Sequence, residues 1–168
     1  IKAALVTQDM QRIQPMVWLD AHVYGSRHLT TPLSDELLFL QSNGAKVRVF
    51  DYAKEVKGTP LDGAWDDIYS PLRGHESWPT LATASDIVRY VLLFKYGGVW
   101  MDADVMLLRD LSPLLPFEWA YPWSARPPLG APENHTLNGA MLRLFKGSAA
   151  ATDMARRGAE ERVPFGLW

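Results

Sequence analysis

Ser85-Asp86-Ile87-Val88-Arg89-Tyr90-Val91-Leu92-Leu93-Phe94-Lys95-Tyr96-Gly97-Gly98-Val99-Trp100-Met101-Asp102-Ala103-Asp104 is the stretch on which the reading of the fold turns. Ile87, Val88, Val91, Leu92 and Phe94 cover a wide apolar stripe at helical spacing, which predicts a helix over 79–96. Gly97 stands where a left-handed C-cap is wanted, and Gly97-Gly98 permits a tight turn into the short strand Val99-Trp100-Met101. That strand runs directly into Asp102 and Asp104. Two carboxylates one residue apart at a strand end can lean toward the same point, which suits a hard cation with oxygen ligands. An isolated Asp-x-Asp triplet more often decorates a turn, so its neighbours decide the matter. Asp86 and Arg89 lie one helical turn apart, as in an ordinary surface ion pair or as a pair that orients polar ligand groups.

Outward from this stretch, elements of both kinds alternate. Lys2 to Val6 and Met16 to Leu19 read as short strands. A helix is predicted from Thr31-Pro32 to Gly44, with Asp35 and Glu36 at its positive end and Leu33, Leu37, Leu38 and Leu40 on its buried face. Val47, Val49 and Phe50 alternate as a strand, completing a βαβ unit. Residues 51–80 read as a long loop with one short helix, Trp119 to Tyr121 and Ala140 to Phe145 as strands, and Ser148 as the cap of a closing helix with a weak point at Gly158. The expected class is α/β, a mainly parallel central sheet with helices on both faces, whose ligands bind at the carboxyl ends of strands.

The 168 residues suffice for one core and form a single expected domain over 1–168. Seventeen basic against nineteen acidic residues exclude a global pull toward nucleic acid. Without cysteine, only Asp, Glu and His remain as metal ligands. No apolar run reaches the roughly 20 residues of a membrane span.

Together, Ser85-Asp86, Arg89-Tyr90, Leu93, Tyr96-Gly97-Gly98-Val99-Trp100 and Asp102-x-Asp104 resemble the retaining glycosyltransferases with a DXD sugar-binding region. That group includes yeast Golgi mannosyltransferases and α1,4-galactosyl- and N-acetylglucosaminyltransferases, and the spacing is similar to that of the clostridial glucosylating toxins. The resemblance implies a GT-A (Rossmann-like) fold and transfer of a hexose from a nucleotide sugar to an acceptor hydroxyl with retention. The implied cofactor is Mn²⁺ or Mg²⁺, held by Asp102 and Asp104 as the catalytic and metal-binding pair. Asp86 and Arg89 would hold the donor sugar, Asp102 would also contact the donor, Trp18 would wall the base pocket, and Asn138 would face the sugar. The donor would be a UDP- or GDP-sugar and the acceptor a glycan, lipid or protein, in the Golgi lumen or the cytoplasm. Trp100 departs from the family's usual tyrosine, and a C-terminal segment that helps to hold the acceptor is expected to be lacking.

Two other readings compete. A phosphatase of the haloacid dehalogenase type also places Asp-x-Asp after a strand, although there the motif lies near the N-terminus. Seven tryptophans admit a non-catalytic carbohydrate-binding protein. Asn134-His135-Thr136 is a glycosylation acceptor triplet, and His22, His28 and His75 form no ligand spacing.

Overall fold

A computed structural model describes residues 2–21, 34–66, 78–123 and 136–160, with the side chains of 78–82, 122–123 and 136 not described. The elements are α1 (Lys2–Thr7), β1 (Met16–Asp20), α2 (Asp35–Ser42), β2 (Lys46–Phe50), α3 (Tyr52–Glu55), α4 (Trp78–Tyr96), β3 (Gly98–Met101), a 3₁₀ turn (Ser112–Leu114), β4 (Trp119–Trp123), β5 (Thr136–Leu144) and α5 (Ala149–Glu160). No described helix is long and apolar enough to cross a membrane.

The strands form two sheets. β1 and β2 pair in parallel, Trp18 opposite Arg48, as the βαβ reading requires. The second sheet, in the order β3-β5-β4, is antiparallel throughout, so the expectation of a mainly parallel sheet holds only for the first pair. Strand direction depends on how connecting segments return, and local patterning does not encode that.

Central α4 is apolar almost all round: Ile87, Val91, Tyr90 and Leu93 are 2% exposed or less. A helix buried on every side organises what surrounds it. Phe50, Tyr52, Val56, Leu61 and Trp65 pack on one flank of α4, and Leu142, Leu144 and Ala151 meet Leu93 on another. Trp100, Leu142 and Ala120 share the sheet face toward the helices. By strand alternation Val99, Met101, Met141 and Arg143 occupy the opposite face.

Three local expectations are corrected. Lys2–Thr7 is a helix, not a strand; Ala3, Ala4 and Leu5 are strong helix formers, and a four-residue apolar run carries no usable period. α2 begins at Asp35, with Ser34 Oγ accepting from the Leu37 amide, and buries only Leu40, whereas Leu38 is 48% exposed. The Thr31-Pro32 start and Leu33 lie outside the described residues. Gly158 is no weak point, since α5 continues through it to Glu160.

Gly97 ends α4 as expected, at φ +66°, and a Cβ there would stand 2.5 Å from the Lys146 amide nitrogen. Gly158 is small for a packing reason: a Cβ would meet the Tyr90 ring at 2.7 Å, while its carbonyl accepts from Trp65 Nε1 at 3.0 Å. Helix propensity alone would favour alanine by about 1 kcal/mol. Overpacking opposes it, and Gly158→Ala is expected to destabilise the protein by about 1–3 kcal/mol, read as a lower urea midpoint at unchanged slope.

Candidate functional site

β3 delivers its carboxylates where its ladder ends. The Asp102 amide still donates to the Ala140 carbonyl at 2.8 Å, and the Val105 amide returns to the Asp102 carbonyl at 3.1 Å, closing a turn over Ala103-Asp104. Trp100 Nε1 donates to Asp102 Oδ1 at 2.6 Å, and Arg89 NH2 reaches the same oxygen at 3.3 Å. Arg89 NH1 donates to Asp86 Oδ1 at 2.7 Å, and the guanidinium carbon lies 5.3 Å from the centre of the Trp100 ring.

The Arg89 side chain is 5% exposed and the Asp86 side chain 14%, so this is not the ordinary surface pair that an i,i+3 spacing suggests. Burying a guanidinium is costly unless charges and hydrogen bonds surround it, and here two carboxylates and an indole face do so. Asp104 stands apart, exposed, and no described residue bonds to it. Arg89 pairs with both Asp86 and Asp102, and Asp104 adds a further carboxylate at the end of β3. Among the described residues no three His, Asp or Glu side chains gather as a complete metal cage. Asp102 and Asp104 therefore offer oxygen donors suited to a hard divalent cation whose shell a ligand completes.

Two adjoining cavities open beside this end. The smaller, about 230 Å³, is lined by Trp18, Asp20, Phe50, Ser85, Val88 and Trp100. The larger, about 710 Å³, includes Asp102 and Asp104 in its wall, with Trp18, Leu92, Leu107, Arg12 and Arg143. Ligand sites usually measure roughly 300–1,000 Å³, so the larger cavity is in range.

Trp18 borders both cavities, stacked on Tyr96 with centroids 5.7 Å apart and with the Arg48 guanidinium 5.6 Å from its ring. The Tyr96 hydroxyl donates to Glu55 Oε2 at 2.8 Å, an oxygen that also accepts from Lys95 Nζ at 2.9 Å. Burial first, and the bond to the Glu55 carboxylate second, push the Tyr96 hydroxyl above its ordinary pKa. The ring thus stays neutral beside Trp18 at physiological pH.

Asp102, Asp104 and Trp18 share one cavity, whereas Asp86 and Arg89 lie behind Asp102 and line neither cavity. Asn138 is buried on β5, its Oδ1 accepting from the Ala140 amide at 2.7 Å, and it too lines neither cavity. His22, His28, His75 and His135 lie outside the described residues. Sequence reasoning missed Ser85 and Asp20 as cavity walls and Gln8 beneath the loop that follows Asp104. No local signal marks Gln8, because its partners in the loop, Arg109 and Leu111, lie more than a hundred residues away.

Residues 7–120 match the family described as the glycosyltransferase sugar-binding region containing a DXD motif, and the chain belongs to that family. It is therefore of the glycosyltransferase class. Inositol phosphoceramide mannosyltransferase 3 of Schizosaccharomyces pombe is 46% identical over 44 residues, 26% of this chain and 12% of that protein. No solved structure matches the chain.

Arg89→Ala removes the buried cation that pairs with Asp86 and Asp102 and is expected to cost about 3–5 kcal/mol in unfolding free energy. Denaturant titration of the purified variant measures it.

Proposed function

We propose that the protein is a metal-dependent glycosyltransferase of the GT-A type that moves a hexose from a nucleotide sugar to an acceptor hydroxyl with retention of configuration. The observation that carries this reading is the pair Asp102 and Asp104 in the wall of the larger cavity, directly after a strand and backed by buried Arg89. Family membership supports sugar transfer in general, and the oxygen donors suit Mn²⁺ or Mg²⁺. When bound, such an ion offsets charge that develops on the departing diphosphate.

The chain's own residues do the rest. Trp100 and Arg89 engage Asp102 Oδ1, so that the carboxylate meets a ligand in one orientation. Exposed Asp104 would supply the main protein oxygen to such an ion. Trp18 and the small cavity receive the base of a UDP- or GDP-sugar, with Tyr96 supporting the indole from behind. Asp86 and Arg89 fix the floor of the sugar site through Asp102, and Asn138 holds the neighbouring turn of β5. By likeness to the family, the acceptor hydroxyl attacks on the face from which the diphosphate leaves. The acceptor is a glycan, lipid or protein. The mannosyltransferase likeness makes GDP-mannose the first donor to test and a lipid the first acceptor.

Asp104→Ala is expected to lower Mn²⁺-dependent transfer by about 100-fold or more while melting stays near wild type. Near-normal turnover in the folded variant would overturn the assignment. Donor identity follows from thermal shifts with UDP-glucose, UDP-galactose, UDP-N-acetylglucosamine and GDP-mannose. The true donor, at about 100 times its dissociation constant, adds about 2.7 kcal/mol of stability when Mn²⁺ is present.

A further inference from the structure

Glutamine is seldom buried, yet Gln8, just beyond the end of α1, is only 8% exposed. A buried amide must find partners for its donors and acceptor. Gln8 Nε2 donates to the Arg109 carbonyl at 2.8 Å and to Thr7 Oγ1 at 2.9 Å, and Gln8 Oε1 accepts from the Leu111 amide at 2.9 Å. One side chain thus engages the carbonyl and the amide of residues two apart, as a neighbouring strand would. It stitches α1 to a segment more than a hundred positions away.

That segment is the continuation of the Asp102-Ala103-Asp104 turn. Between Asp104 and Arg109 the chain has few holds of its own: Met106 is 69% exposed, Leu108 is 79% exposed, and only Leu107 is buried. Gln8, Leu107 and Leu111 border the same large cavity as Asp104. The loop is therefore tied at its near end by the β3 ladder and at its far end by the Gln8 amide.

We propose that Gln8 is a positioning residue, which holds the Asp104 loop in its metal-binding conformation from the far side of the cavity. This rests on the reading of Asp102 and Asp104 given above. Two variants test it. Gln8→Met keeps the length and apolar bulk of the side chain and deletes both bonds to the loop. Gln8→Glu keeps the acceptor for Leu111 and loses the donor to Arg109, and it serves should the first variant fold poorly. Hydrogen exchange on the metal-free protein and Mn²⁺ affinity by paramagnetic resonance are the measurements.

In Gln8→Met the Leu111 amide is expected to exchange at least about tenfold faster and the Val105 amide, inside the Asp102 turn, several-fold faster, with Mn²⁺ bound about fivefold more weakly. Gln8→Glu falls between the variant and wild type. Unchanged exchange at Val105 despite a freed Leu111, or unchanged Mn²⁺ affinity despite a loosened loop, overturns the proposal. If the wild-type protein binds no Mn²⁺, the metal reading falls by itself, and the Val105 exchange alone then decides whether Gln8 orders the loop.

Discussion

The guanidinium of Arg89 is enclosed by protein at the point where helix, strand and carboxylate turn meet. A buried cation tolerates few surroundings, since it demands anions and acceptors at fixed directions and penalises their absence heavily. Asp86 meets that demand from the same helix, and Asp102 meets it from the end of β3. The register of α4 against β3 and the orientation of the Asp102 carboxylate are thereby one constraint. Trp100 joins it twice, by its N–H to the same oxygen and by its ring beneath the cation. At the position where tyrosine is usual in the family, an indole offers both a donor and a broad face to a guanidinium.

This constraint needs a rigid floor, and α4 is that floor. Its apolar residues face the β1–β2 side through Phe50 and the antiparallel sheet through Leu142 and Leu144. The Tyr90 ring rests on the bare backbone of Gly158, which brings α5 close. Core packing and site geometry are consequently not separable here: the helix that buries Ile87 and Val91 is the helix that presents Asp86, Arg89 and Ser85.

Much of this was legible in the chain because it is local. The stripe through Ile87, Val88 and Val91, the Gly97 stop and the short run into Asp102 each declare themselves within one or two turns. What was illegible depends on distance. An Asp–Arg pair at i,i+3 looks the same whether solvated or buried, and only the approach of β3 decides it. The antiparallel course of β3, β5 and β4 follows from long connections rather than residue pattern. The helix at Lys2–Thr7 was illegible because the four apolar residues Ala3 to Val6 fit either period. Gln8 was invisible since nothing near it announces Arg109 or Leu111.

Among the described strands β4 lies at the rim of its sheet, with a break in register between Ala120 and Pro122. Proline has no amide hydrogen to offer an incoming strand, and an irregular rim twists away from any flat template. Edge-to-edge pairing with another chain, to which an open rim exposes a protein, is thus discouraged along the described part of β4 by the broken register together with a residue that lacks an N–H.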